Sequence, residues 1–371
     1  MGDFLLPRYD GDCLTNLLPS VQDRLAGRVP VIDIPKAEKY IVVLVDGFGW
    51  HQVQRNLDHC EFVSGVLGSA RRLTTAVPST TATALSCLGC GTPPGRHGVV
   101  GYSFFEPSVG KIVNALTWEN GPDDVEAFRQ APTRFQELGA VGCACAAVTL
   151  ARFEASALTR TAFSGTTQFP VTAEGEPEHV VQLVADALVG HDVVYCYERL
   201  LDHTGHGHGV ASWQWLDRLG AVDDLIAALA ELSSPEVCIL VTGDHGMIDV
   251  PAERRVVAED EGLADGVLIG GEGRLRQLYC HDPATVAARW ARHLGERAAV
   301  WRRQDAIEAG WFGPEVTATT AARIGDVLVA MRDDWAVMST TFPGEFSIVG
   351  MHGSLTPEEM EVPLLILGGA Q

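Results

Sequence analysis

No stretch of this chain reaches the roughly 18 consecutive apolar residues that a membrane span requires. The opening residues, MGDFLLPRYDGDCL, lack the basic start and long apolar core of a secretory signal. They also lack the Ser or Thr of a myristoylation signal after Met1 and Gly2. Basic residues are scarce: 27 Lys plus Arg face 48 Asp plus Glu, for a net charge of −21. Such a surface repels nucleic-acid backbones and anionic membranes, so neither polymeric nucleic acid nor membrane is an expected partner. Cysteine does not form a disulfide framework. The count of nine is odd, and most lie in apolar segments such as VGCACAAV and EVCILV. Free thiols buried in a reducing cytoplasm account for them most simply, and a cytoplasmic location is expected. Cys87 and Cys90 make a lone C-x-x-C with no second pair, which reads as core packing rather than a redox or metal site. There is no internal repeat and no linker long enough to mark off a second domain.

What the chain does have is enough apolar residue, 46% of 371, to build a sizeable core. Short β-branched runs recur: KYIVVLVD (39–46), AVGCACAAVT (140–149), DVVYCYE (192–198), EVCILVTGD (236–244), GDVLVAM (325–331) and VPLLILG (362–368). They read as buried strands. Helical patterns lie between them, as at 212–232 and 283–294. This alternation predicts an α/β fold, a mostly parallel central sheet with helices on both faces. The expected organisation is a single catalytic domain over 1–371. A small cap or sheet extension is expected within 248–349, where no further ligand motif occurs.

Six acidic and imidazole residues fall in a pattern that two metal ions can share: Asp46, Asp202, His206, Asp244, His245 and His352. Asp46 and Asp244 end apolar strands, where open α/β sheets bind ligands. Adjacent bulky polar groups such as Asp244 and His245 have no packing rationale after such a strand, whereas Asp46 alone could be a turn residue before Gly47 and Gly49. Asp and His together suit a pair of zinc-like ions clamping a phosphoryl group. The candidate nucleophile stands in AVPSTTATALSCLGCG, a helical run of small residues closed by Gly91. A hydroxyl at that helix start meets free backbone N–H groups and a favourable dipole. Thr80 and Thr81 both fit from the residues alone, and Ser79, Thr80 and Thr83 also suit a capping role. His203 and His208 read as pocket-lining or solvent-facing, and His97 as a structural loop residue.

The same motifs, taken in order, resemble the nucleotide pyrophosphatase/phosphodiesterase family of the alkaline phosphatase superfamily. They are Asp46-Gly47, Pro78-x-x-Thr81, Gly91 with Pro93 and His97-Gly98, Asp202-x-x-x-His206, Gly243-Asp244-His245-Gly246 and the late His352. The likeness runs from about residue 40 to 367 and implies an alkaline phosphatase-like fold. It selects Thr81 as nucleophile and implies one ion on Asp202, His206 and His352, with a second on Asp46, Asp244, His245 and the Thr81 oxygen. The ligand types fit zinc best, with manganese or iron as alternatives. One departure concerns substrate. Where the family places a phosphate-binding Asn, this chain has Tyr102 in HGVVGYSFF. Tyr102 or Asn114 could donate in its stead, or Tyr102 could simply pack beside the site.

The implied activity is hydrolysis of small phosphate diesters or nucleotide anhydrides through a phosphothreonine, on a small phosphate-containing substrate. A phosphonoacetate-type hydrolase or a phosphomonoesterase would use the same framework, and a metal-dependent phosphomutase is the alternative from another class. A non-catalytic phosphate-binding protein is hard to reconcile with a full ligand set plus a nucleophile. A sulfatase is disfavoured because no Cys-x-Pro-x-Arg is present. No feature of the sequence bears on oligomeric state.

Overall fold

The computed structural model describes residues 4–370; the opening Met1-Gly2-Asp3, read above for its lack of a lipidation signal, lies outside them. Its centre is a seven-stranded sheet. The strand order is Arg71–Thr74, Glu361–Gly368, Val237–Gly243, Lys39–Val45, Val193–Glu198, Cys145–Leu150, Thr167–Val171. Lys39–Val45 shows why its sequence is a near-continuous apolar run. Ile41, Val43 and Val45 enter one core cluster, while Tyr40, Val42 and Leu44 enter another on the opposite face. Alternate side chains of a strand point to opposite faces, so a strand covered on both sides needs apolar residues throughout. The helices Pro177–Gly190 and Trp213–Ala230 cover the first face, through Val184, Leu219 and Ile226. Leu17–Leu25 and Thr81–Cys90 cover the second, through Leu17, Leu18, Leu85 and Leu88. The expected α/β architecture, a mostly parallel sheet with helices on both faces, is what the chain adopts.

Two of the expected parallel strands differ. Glu361–Gly368 runs antiparallel to both of its neighbours. Val327–Met331 does not enter the central sheet. It lies inside a second, antiparallel sheet ordered Leu268–Glu272, Leu275–Tyr279, Val327–Met331, Ala298–Arg302. There Leu328 and Ala330 pack to one side, and Val327, Val329 and Met331 to the other with Val286 and Trp290 of the helix Pro283–Leu294. Burial on both faces, not strand direction, makes a run continuously apolar, so the sequence could not separate the two cases. The second sheet falls within the stretch that holds no ligand motif.

The ten residues of Thr81–Cys90 are all buried, and the helix ends at Gly91 with φ 57°, a left-handed cap that favours glycine. The expected caps at its start do not form: Thr80 makes no side-chain capping bond. Ser79 Oγ instead donates to the Ser354 carbonyl at 2.6 Å and accepts from Gly353 N at 3.2 Å, tying the turn before Thr81 to the His352 loop. Among the described residues no helix is long and apolar enough to cross a membrane.

Candidate metal centre

The carboxyl ends of neighbouring strands bring the first candidate ligands together. Val45 is in register with Gly243, so Asp46 and Asp244 emerge side by side. The chain then turns through Gly47 at φ 74°, where a Cβ would stand 3.1 Å from both Cα and Cβ of Asp202. Only glycine allows the turn and the close approach of the Asp202 helix together. That helix, Leu200–His208, starts over the half-buried Glu198, whose carboxylate accepts from Leu200 N at 2.8 Å. Spacing of i, i+4 puts Asp202 and His206 on one helical face, with His206 Nε2 3.4 Å from Asp202 Oδ2. His352 follows the short strand Gly350–Met351, which pairs with Ile248–Asp249 just beyond His245.

The three imidazoles are oriented alike. Nδ1 of His206 lies 2.7 Å from the Gly350 carbonyl, Nδ1 of His245 3.0 Å from the Gly246 carbonyl, and Nδ1 of His352 2.9 Å from the Ser79 carbonyl. A carbonyl only accepts, so each Nδ1 carries the proton and each Nε2 presents a lone pair. All three Nε2 atoms face the carboxylates. His245 Nε2 is 3.5 Å from Asp46 Oδ1 and 3.4 Å from Asp244 Oδ2, while His352 Nε2 is 3.3 Å from His206 Nε2.

Thr81 stands at the edge of this cluster, its Oγ1 3.2 Å from His245 Nε2 and 3.5 Å from Asp46 Oδ1. The Thr80 hydroxyl turns instead towards the Glu272 carboxyl. The geometry thus separates two hydroxyls that the residues alone left equivalent.

The electrostatics call for positive charge. Burial, then the neighbouring Asp244 and Asp202, push the Asp46 carboxyl well above the usual range, against the opposing Tyr197 hydrogen bond. Burial likewise raises Asp244, opposed by His245 and the Gly47 amide. Burial and the two neighbouring imidazoles press His352 well below its ordinary value, keeping the ring neutral. Asp202 Oδ1 and Asp244 Oδ2 are buried with no hydrogen-bond partner. Orphaned carboxylate oxygens beside convergent imidazole lone pairs are the donor set a divalent cation satisfies. Ligand atoms of Asp202, His206 and His352 lie within 4.8 Å of one another, as do those of Asp46, Asp202 and His245. Asp202 therefore stands between the two sets, while Asp244 reaches the second through the oxygen beside His245.

The centre opens into a cavity of about 1000 Å³. Tyr102 lines it, with its hydroxyl raised first by burial, the neighbouring Asn114 side chain opposing. Asn114 is not among the lining residues, and its Oδ1 accepts from Leu116 N at 2.9 Å and Thr117 N at 3.0 Å. The turn holds Asn114 behind Tyr102. His203 and His208 line the cavity mouth, exposed. His97 sits in the interior and does not line the cavity, though it ends the short helix Pro94–His97 rather than lying in a loop; it is fully buried, accepting from Val99 N at Nδ1 and meeting Cys87 Sγ 3.1 Å from Nε2.

Sequence reasoning missed two cavity residues. Tyr197 donates a short hydrogen bond from its hydroxyl to Asp46 Oδ2; its place near the end of the strand neighbouring Asp46 was the available signal. Glu272 lies 3.8 Å from His352 Nδ1, raised well above its ordinary value first by burial. Its setting, GGEGR, reads as a turn and carries no metal or catalytic motif.

The type I phosphodiesterase/nucleotide pyrophosphatase family model matches residues 40–355. A phosphonoacetate hydrolase from Sinorhizobium meliloti 1021, solved with phosphonoacetate, shares the fold with a TM-score of 0.70 and 19% identity over 91% of each chain. Human and murine ectonucleotide pyrophosphatase/phosphodiesterase 5 superpose with TM-scores of 0.70 at 16% identity, over 90% of this chain and 88% of theirs. An inactive variant of the murine protein has been solved with AMP. No curated protein matches by sequence. The chain belongs to the type I phosphodiesterase/nucleotide pyrophosphatase family of phosphoester hydrolases.

Proposed function

We propose that the chain hydrolyses small phosphate diesters or nucleotide anhydrides through a covalent phosphothreonine on Thr81. The observation that carries this reading is the cluster of three Nδ1-anchored imidazoles with the carboxylates of Asp46, Asp202 and Asp244, at whose edge the Thr81 hydroxyl stands 3.2 Å from His245 Nε2 and 3.5 Å from Asp46 Oδ1. Two divalent ions, zinc by ligand type, would be held by Asp202, His206 and His352 and by Asp46, Asp244, His245 and Thr81. Such ions polarise phosphoryl oxygens and lower the pKa of a bound hydroxyl.

The chain supplies the positioning. Thr81 begins a ten-residue helix, whose first N–H groups have no intrahelical acceptor and face the phosphoryl group. Attack forms the Thr81 Oγ–P bond and breaks the bond to the leaving oxygen. Attack by water then breaks Oγ–P and restores the hydroxyl. Tyr197 fixes Asp46, and Ser79 fixes both His352 and the Thr81 turn.

The second ester group would meet a wall formed mostly outside the segment HGVVGYSFF. Of its aromatic residues only Tyr102 faces the cavity, since Phe104 packs on Phe128 and Phe105 on Tyr279. Phe153, Phe163, Leu158 and Tyr195 on one side and Phe342 on the other supply the apolar lining. A phosphonate hydrolase is the second reading, supported by the shared fold of the protein solved with phosphonoacetate. All nine cysteines are unpaired, seven of them buried, which supports a cytoplasmic location for the reading.

Quenching turnover of bis-p-nitrophenyl phosphate in acid and sequencing the labelled peptide tests the proposal. The expected result is a phosphoryl adduct on Thr81. Turnover with the adduct elsewhere, or none when metal is supplied, overturns it.

A further inference from the structure

Among the described residues, Arg199 is the only Arg or Lys side chain lining the cavity. It stands at the N-cap of the helix that carries Asp202 and His206, and its side chain is 21% exposed. Its partner is Glu174, with Arg199 Nε 2.7 Å from Oε1 and Nη2 3.2 Å from Oε2. The same carboxylate is already gripped from the other side by Arg152, at 3.0 Å to Oε2 and 3.3 Å to Oε1. Two guanidinium groups therefore share one carboxylate. Two guanidinium charges against one carboxylate leave the trio with one surplus positive charge. Glu174 fixes the Arg199 fork while leaving that charge to act in the cavity. A cation was not needed there for folding alone, since a helix start favours negative charge.

The wall beside Arg199 is polar in a matching way. Thr149, Ser156 and Thr159 line the same cavity. In a chain of net charge −21, a fixed guanidinium facing the cavity is a selective attraction for anions that the rest of the surface repels.

We propose that Arg199 recognises a second anionic group, a carboxylate or a further phosphate, on the substrate whose phosphoryl group meets Thr81. The inference rests on the hydrolytic reading above and narrows it to substrates carrying two separated anions. Arg is suited to this because the guanidinium carries five N–H donors, more than the Nε and Nη2 edge facing Glu174 uses.

Three p-nitrophenyl phosphodiesters test it, with butyl, 3-carboxypropyl or 3-phosphonooxypropyl as the second ester group. Wild type is expected to turn over at least one charged ester with kcat/KM tenfold or more above the butyl ester, and the better of the two identifies the anion. Arg199→Gln is expected to remove that preference while keeping butyl-ester turnover within about twofold, which also shows that the variant folds. Arg199→Lys should retain part of the preference, because the charge remains and the fork is lost. Equal kcat/KM for all three esters, or a preference that survives Arg199→Gln, overturns the inference while the hydrolytic reading stands. Absence of turnover on every ester by metal-supplied wild type overturns that reading, and the inference with it.

Discussion

Nε2 of His206 and Nε2 of His352 face each other at 3.3 Å, although each ring already gives its Nδ1 proton to a backbone carbonyl. Two lone pairs at that separation repel unless a positive charge lies near both. Purified without chelator, the protein should carry close to two transition-metal ions per chain. A chelator should lower its melting temperature, because ions that bind only the folded state stabilise it by mass action. Elemental analysis and a thermal scan check both. Full activity in metal-free protein would sink the idea.

Thr81→Ala should abolish turnover and leave fold and metal content intact, since it removes one small hydroxyl and none of the six side-chain ligands. Loss of a nucleophile costs several orders of magnitude in kcat. A loss of less than about tenfold would move the role to Thr80 or to a hydroxide.

Tyr197→Phe removes only the oxygen that steadies Asp46. Partners of this kind are typically worth about 10- to 100-fold in metal affinity or activity. Competition against a chelator of known affinity should show a loss in that range, with a near-native melting temperature for the metal-free protein. Unchanged affinity would mean that Asp46 holds its place without help.

Diesters should be favoured over monoesters sharing one leaving group. A monoester dianion needs extra positive charge at its third oxygen. Arg96, the basic residue nearest downstream of Thr81 in sequence, is bound at the surface to Glu315 and does not line the cavity. Arg199 lines the cavity but is assigned above to a second anionic group of the substrate, apart from the phosphoryl group at Thr81. The kcat/KM ratio for an aryl diester and an aryl monoester decides the matter, and a tenfold monoester preference would point instead to phosphatase chemistry.

Acid should weaken the fold through His97. Burial, then Arg323, lowers its pKa from 6.5 to about 3. The unfolded chain therefore takes up this proton first. The stability this ring contributes is complete above about pH 6.5 and is lost as pH falls towards 3, by up to about 1.4 kcal/mol per unit. Urea midpoints at pH 7.5 and 5, measured on chelated protein, should drop more for wild type than for His97→Gln. Equal drops would show that the ring is not held neutral.

Much of this centre was legible because its ligands sit where chain geometry leaves few other uses for them. Asp46 and Asp244 each end an apolar strand, and Asp202 and His206 share one face of a helix. Tyr102 could be placed near the site but not given a direction, since that depends on the turn held by Asn114. Glu272 and Arg199 were invisible for a different reason. Each gains its meaning from a partner distant in sequence: His352 for Glu272, and Glu174 with Arg152 for Arg199. The run at 325–331 misled because antiparallel and parallel strands look alike when both faces are buried.

The bond from His352 Nδ1 to the Ser79 carbonyl spans 273 positions of sequence, and the second sheet lies between its ends. Contacts so remote form only after much of the chain has lost its freedom, and they slow folding. On the ribosome, Asp46, Thr81 and Asp244 emerge long before the residue that completes the neighbouring set. A nascent or truncated chain would therefore carry carboxylates without the full cage, and tight metal capture would report that synthesis had passed His352.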